Sequence, residues 1–255
     1  NENHKHSDRC YGTWELTCGL EEHTHDLRCA ANPNADLENR VLWEQTFAEA
    51  ERTGVWAEDV LVIAETQLGY RESQKNYVVL DGSNETKGYT RYGAWYGIPY
   101  GDWCAMFVSF CLDYAGVEDY PLDCNCPSWI NALTELEMYQ TPDVYTPVPG
   151  DVIFFDWNEN LVSDHVGLVK AVDLEKGELI TIEGNNGNMV AEHTYKLDDT
   201  DLLGYGILPE NPEQEPVALA QQVLDAAIYT DGTYAEIAQD DTAITVSGLL
   251  PVGAE

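Results

Sequence analysis

The stretch "YGDWCAMFVSFC", residues 100–111, sets one polar cysteine, Cys104, behind an aspartate and a tryptophan and ahead of an apolar run. The run has helical spacing over about 103–115: Phe107, Val108, Cys111, Leu112 and Ala115 share a face, Asp102 is placed to cap the amino end, and Gly116 to close it. Cys104 then falls in the first turn, where unpaired backbone N–H groups and the positive end of the helix dipole favour a thiolate over a thiol. Cys111, two turns on along the buried face, reads instead as a small core hydrophobe. A cysteine nucleophile needs a base and a group that orients the base, and neither has to be near it in sequence. Four of the six histidines crowd the amino terminus, which leaves His165 and His193. His165 opens a strand-like run and Glu183 ends another, so strand pairing can join imidazole and carboxylate; His193, inside a polar, edge-like strand, reads as solvated. These types together suit nucleophilic catalysis by a cysteine, with an imidazole as base and a carboxylate that orients it.

The elements that must position these groups follow from periodicity. "LENRVLWEQTFAEAER" and "AEDVLVIAETQLGY", within residues 37–72, have apolar residues at three- and four-residue steps and form a helical lead-in. Residues 73–101, rich in Gly, Asn and Tyr, read as an irregular loop of the kind that lines sites. After a helix-like "SWINALTELEMY" and the turn "PVPGD", strand-like runs occur at 151–157, 165–172, 179–185 and 189–197, separated by short turns as in an antiparallel meander. The expected fold class is α+β, with helices packed on a central antiparallel sheet.

Residues 4–29 hold four histidines and three cysteines in a repeating unit: His4 to His23, His6 to His25 and Cys10 to Cys29 are each 19 residues apart, around Cys18. The segment has too few apolar residues for a core of its own, and a zinc ion bound by imidazole and thiolate replaces one in short folds. The alternative is a solvated tail with cysteines in disulfides; the mixed Cys/His spacing favours zinc. Cys10, Cys18, His25 and Cys29 are the first choice of ligands, with His23 and His6 as further candidates. A closed site of this kind is structural. It resembles the short Cys/His repeats of surface proteins of Gram-positive bacteria over about thirty residues.

"YGDWCAMFVSFC", "PGDVIFF", "DHVGLV" and "TIEGN" occur in the order found in the CHAP domain, the cysteine- and histidine-dependent amidohydrolase/peptidase family of the papain-like NlpC/P60 group, and residues 55–208 resemble it. The resemblance implies that Cys104 is the nucleophile, His165 the base and Glu183 the third group, with Asn185 as a fourth. It also implies a peptidoglycan substrate, cut between the sugar and the first alanine of the stem peptide or within the peptide bridges. Tyr92, Trp95, Tyr96, Tyr100 and Trp103, with Trp129 and Trp157, could form a groove for sugar or peptide; the alternative is that several fill the core, a reading that weighs at least as much for Trp129 and Trp157. Some members of the family bind calcium just before the cysteine. Here Asp81 and Glu85 lack the spacing of a calcium loop, and calcium is not predicted.

With 12 Lys and Arg against 46 Asp and Glu among 255 residues, the formal charge is -34, which disfavours nucleic acid and anionic membranes as partners. The same charge sits awkwardly beside an anionic wall. Hydrophobic residues at 44% and aromatics at 11% describe a folded chain, and no apolar run is long enough to span a bilayer. Residues 1–32 are read as the zinc element, 37–208 as the CHAP domain with its lead-in, 209–222 as a Pro- and Glu-rich linker, and 223–255 as the start of a β module. A first residue that is Asn and a last stretch that stops after a strand-like run read as a piece of a longer protein, secreted or displayed on a bacterial surface. Cys111, Cys124 and Cys126 remain, and a disulfide from Cys111 to either of the others is compatible with an oxidising compartment. The expected function is a peptidoglycan hydrolase. Two alternatives stand beside it: an inactive CHAP fold that binds a wall or host component, against which the intact Cys104, His165 and Glu183 set argues, and a protease acting on proteins.

Overall fold

The computed structural model describes residues 26–211 together with the strands at 235–239 and 244–248. Five helices precede or flank the main sheet: α1 (Arg40–Glu44), α2 (Trp56–Thr66), α3 (Arg91–Tyr96), α4 (Cys104–Ala115) and α5 (Cys126–Glu135). The eight strands of the same region are β1 (Tyr77–Val79), β2 (Thr86–Gly88), β3 (Tyr139–Gln140), β4 (Val152–Phe155), β5 (His165–Asp173), β6 (Glu178–Glu183), β7 (Ala191–Lys196) and β8 (Leu202–Gly206). Local chemistry sets the helix starts. Asn39, Thr90 and Asn125 each accept a backbone N–H through the side chain at the amino ends of α1, α3 and α5, and Pro127 adds its preset backbone to the first turn of α5.

β3 to β8 form one antiparallel sheet in the order β3-β8-β4-β5-β6-β7, so the four runs read as a meander lie side by side as β4 to β7. The short strand β4, "VIFF", shows how the sheet is sandwiched. Val152 and Phe154 face the main core with the helices, whereas Ile153 and Phe155 face a smaller apolar cluster with Val169, Leu179, Leu202 and Tyr205. Mixed helix and antiparallel sheet is the fold class expected from the sequence.

Three local expectations change. α4 starts at Cys104 with Trp103 at its cap and no capping side chain, because Asp102 instead faces Lys87 at 2.6 Å. α4 is also buried almost all round rather than on one face: only Asp113 and Tyr114 of its residues are not buried, since α2, α3 and the sheet enclose it. Residues 73–101, read as an irregular loop, contain the β1–β2 hairpin and α3.

Contacts divide the chain into two units, Asn1–Pro209 and Glu210–Glu255. In the second, β9 (Ala235–Gln239) pairs antiparallel with β10 (Ile244–Gly248). The expected zinc ligands His6, Cys10, Cys18, His23 and His25 lie outside the described residues. Cys29 is described, buried in a 3-10 turn, Leu27–Ala30, that Asp26 caps and that Tyr77 holds by donating its hydroxyl to the Leu27 carbonyl at 2.7 Å.

Candidate active site

Cys104 is the first residue of α4, so its own N–H has no acceptor within the helix, where such groups bond back four residues. The start of the helix is fixed from outside: the Trp103 indole donates to Glu72 at 3.1 Å, and Asn188 holds the other oxygen of Glu72 at 3.0 Å. Cys104 is 8% exposed, and His165 is near enough to favour the charged form of its thiol.

His165 is the first residue of β5, paired across to Phe155 of β4. Ser163 pins it by donating its hydroxyl to the His165 carbonyl at 3.0 Å. Its Nε2 lies 2.9 Å from Glu183 Oε2, which leaves Nδ1 as the ring nitrogen for the thiol. Strand register explains the contact. Leu168 pairs with Ile182, so Glu183 faces Gly167, which has no side chain, and the carboxylate leans across that gap to His165 two residues along the same face. A Cβ at Gly167 would come within 2.7 Å of Glu183 Cγ. Thr181 and Asn186 donate to the two oxygens of Glu183 at 2.5 and 2.7 Å, so its fully buried carboxylate is saturated with donors.

The ionisation of the three groups is mutual. Contact with the Cys126 thiol, against the opposing effect of burial, brings the Cys104 thiol well below its ordinary range, and His165 and the Ala105 N–H add to this. Burial pulls His165 down, but its bonds to Cys104 and Glu183 outweigh that and raise it to about 9. Burial likewise pushes Glu183 up, and the bonds from His165, Thr181 and Asn186 bring it below its usual value. The shifts favour the charged form of each group, thiolate, imidazolium and carboxylate.

The other expected residues distribute unevenly. Asn185 is not placed on His165: its amide is 3.5 Å from Asp102, and the neighbouring Asn186 is the one that reaches Glu183. Tyr92 and Trp103 are fully buried and stack on each other at 5.3 Å, so they belong to the core and present no face to a groove. Trp129 is likewise fully buried. Trp95, Tyr96 and Tyr100 are half-buried, and Tyr100 donates to Asn76 at 2.8 Å. Trp157 is 45% exposed and lies flat over the His165 ring, with centroids 4.5 Å apart.

Cys126, read from the sequence only as a possible disulfide partner of Cys111, is unbridged, as are Cys111 and Cys124, and its sulfur instead lies 3.9 Å from that of Cys104. The signal was the Asn125-Cys126-Pro127 helix start, which places Cys126 in the first turn of α5 just as Cys104 opens α4. Among the described residues no group of three or more His, Cys, Asp or Glu is gathered to hold a metal ion.

Together these features define a thiol–imidazole–carboxylate site on an α+β scaffold. The CHAP domain family profile matches residues 93–185, a span that contains Cys104, His165 and Glu183. A solved structure titled "The crystal structure of Ly7917" is similar at 16% identity and a TM-score of 0.37, over 60% of this chain and 62% of that one. No curated protein matches the chain. No helix among the described residues is long and apolar enough to cross a membrane.

Proposed function

We propose that the chain is a cysteine-dependent hydrolase that cleaves an amide bond of peptidoglycan. The observation that carries this is the buried His165–Glu183 pair, 2.9 Å apart, together with Cys104 at the amino end of a helix, where the imidazole favours its thiolate. In the working sequence, the Cys104 thiolate attacks the carbonyl carbon and the Cys104 N–H receives the oxyanion. The His165 imidazolium protonates the departing amine, then takes a proton from the water that releases the acid and frees Cys104. Glu183 keeps the ring in place and its charge balanced.

The match to the CHAP family supports peptidoglycan as the substrate class, and amidase and endopeptidase cleavage are the two outcomes it suggests. Trp157, exposed beside the imidazole, and the half-buried Trp95, Tyr96 and Tyr100 are the aromatic faces available to sugar or peptide. Zinc in the amino-terminal element, as a structural ion, and placement outside the cell or on its surface complete the reading.

The test is digestion of purified peptidoglycans of differing stem and bridge chemistry by the wild type and by Cys104→Ala, with fragments identified by mass spectrometry. Products are expected from the wild type alone, and their new termini name the bond. Equal products from both proteins would remove Cys104 from the mechanism. No products from any wall would move the reading to a protein substrate or to an inert binding fold.

A further inference from the structure

The pairing of Cys104 with Cys126 goes beyond what amide hydrolysis needs. α4 and α5 begin at a common point, each with a cysteine at its first position, and the two sulfurs are 3.9 Å apart. Both side chains are nearly enclosed, at 8% and 6% exposure, and neither is bonded to another cysteine. Cys111, by contrast, is fully buried within α4, and Cys124 is half-buried two residues before Cys126.

We propose that Cys104 and Cys126 form a peroxide-sensitive oxidation site, in which Cys126 is the resolving thiol that converts an oxidised nucleophile into a reducible disulfide. Its effect on activity rests on the hydrolase reading of Cys104, whereas its chemistry rests on the two sulfurs alone. The Cys104 thiolate attacks one oxygen of hydrogen peroxide, the O–O bond breaks, and Cys104 becomes a sulfenic acid while hydroxide leaves and takes the His165 proton. The Cys126 sulfur then attacks the sulfenic sulfur. The S–O bond breaks, the S–S bond forms, and the released hydroxide leaves as water with the Cys126 proton. Overall two thiols are oxidised and one peroxide is reduced to two waters.

The two sulfurs suit these unequal roles. Their contact favours the charged form at Cys104, which therefore reacts first, and the neutral form at Cys126; once Cys104 is a sulfenic acid the charge that kept Cys126 protonated is gone, and Cys126 can give up its proton as it attacks. A disulfide is about 2.05 Å long, so the sulfurs have about 2 Å to close, with no third group needed. A buried sulfenic acid without a partner proceeds to the sulfinic acid, which ordinary thiols do not reduce. Cys126 therefore guards the nucleophile as well as switching it.

The experiment treats the reduced full chain with hydrogen peroxide, blocks remaining thiols, and digests with chymotrypsin. Cleavage at the intervening aromatic residues separates Cys104 from the Cys124–Cys126 segment. The expected product is a peptide pair linked through Cys104, retained in Cys124→Ser and absent in Cys126→Ser and Cys126→Ala. Wall-hydrolysing activity, normalised to each protein's own reduced sample, falls to background in the wild type and returns fully with dithiothreitol. In the two Cys126 variants Cys104 accumulates sulfinic acid and the loss is permanent. A wild type that gives sulfinic acid at Cys104 with no link, or that links Cys104 to Cys124, overturns the proposal. The mass readout needs no turnover: a link in a reduced-inactive protein sinks only the hydrolase reading, and an active protein without the link sinks only this one.

Discussion

His165 holds its proton against burial because a thiolate and a carboxylate flank it, and this fixes the sign of the pH dependence. With its pKa raised to about 9, the imidazolium that protonates the leaving amine in the proposed reaction persists below that pH and is lost above it. The activity profile is therefore expected to fall on the alkaline side near 9. Glu183→Gln removes one of the two flanking charges, so the alkaline limb of kcat/KM should move down toward the ordinary histidine value, with a loss of about 10²-fold or more in rate. An unmoved limb would mean that Glu183 does not govern the imidazole. Trp157, stacked on that ring but half open to water, belongs to the same scale. Trp157→Ala should leave thermal unfolding within about 0.5 kcal/mol, as surface changes do, and still lower activity, since it uncovers His165. Residue types and strand ends pointed to Cys104, His165 and Glu183, of which the structure joins His165 to Glu183 and sets Cys104 at the start of α4. Asn186 was not foreseen, and Cys126 and Trp157 were named without their contacts to Cys104 and His165, because these contacts depend on where two helix starts and two loops meet in space. Tyr92 and Trp103 were misplaced for a related reason: composition announces aromatic surface but not which side of a helix will be enclosed.

At the scale of elements, two glycines set the distances on which the site depends. Gly184 follows β6 directly, and a Cβ there would lie 2.5 Å from Phe107 Cβ, so α4 and the end of the Glu183 strand touch backbone to side-chain root. Gly184→Ala is expected to cost about 1–3 kcal/mol through overpacking, read as a lowered midpoint in denaturant with an unchanged slope. Gly167→Ala meets the Glu183 side chain instead, so it should pull the carboxylate off His165 and lower activity more than it lowers stability. Equal stability losses with no difference in activity would deny Gly167 its spacing role. The meander was readable because each of its runs has strand composition bounded by turn residues. The β1–β2 hairpin was not, since three-residue strands carry too short a pattern, and the half-exposed "TKG" of β2 has little apolar content.

At the scale of the molecule, the charge of -34 opposes approach to an anionic wall. Screening should relieve that repulsion: hydrolysis of teichoic-acid-bearing walls is expected to quicken as ionic strength rises from about 0.01 M to about 0.15 M, while cleavage of a small neutral peptide amide stays flat. A rate that falls with salt would indicate a locally cationic contact face. The charge was plain from composition, but its distribution around the site depends on the fold. The proposed chemistry rests on one state, a thiolate at Cys104 favoured by contact with Cys126 and by His165. Its most direct measurement is the rate at which iodoacetamide modifies Cys104, read on its own peptide from about pH 4 to about pH 9. The wild type should react at a rate that hardly declines until well below the ordinary thiol range, Cys126→Ala and His165→Ala should each move the decline up in pH, and the double variant should show the steep decline of a common thiol. A wild-type rate that already falls about tenfold per pH unit below 8 would contradict the account, because Cys104 would then be a protonated, ordinary cysteine.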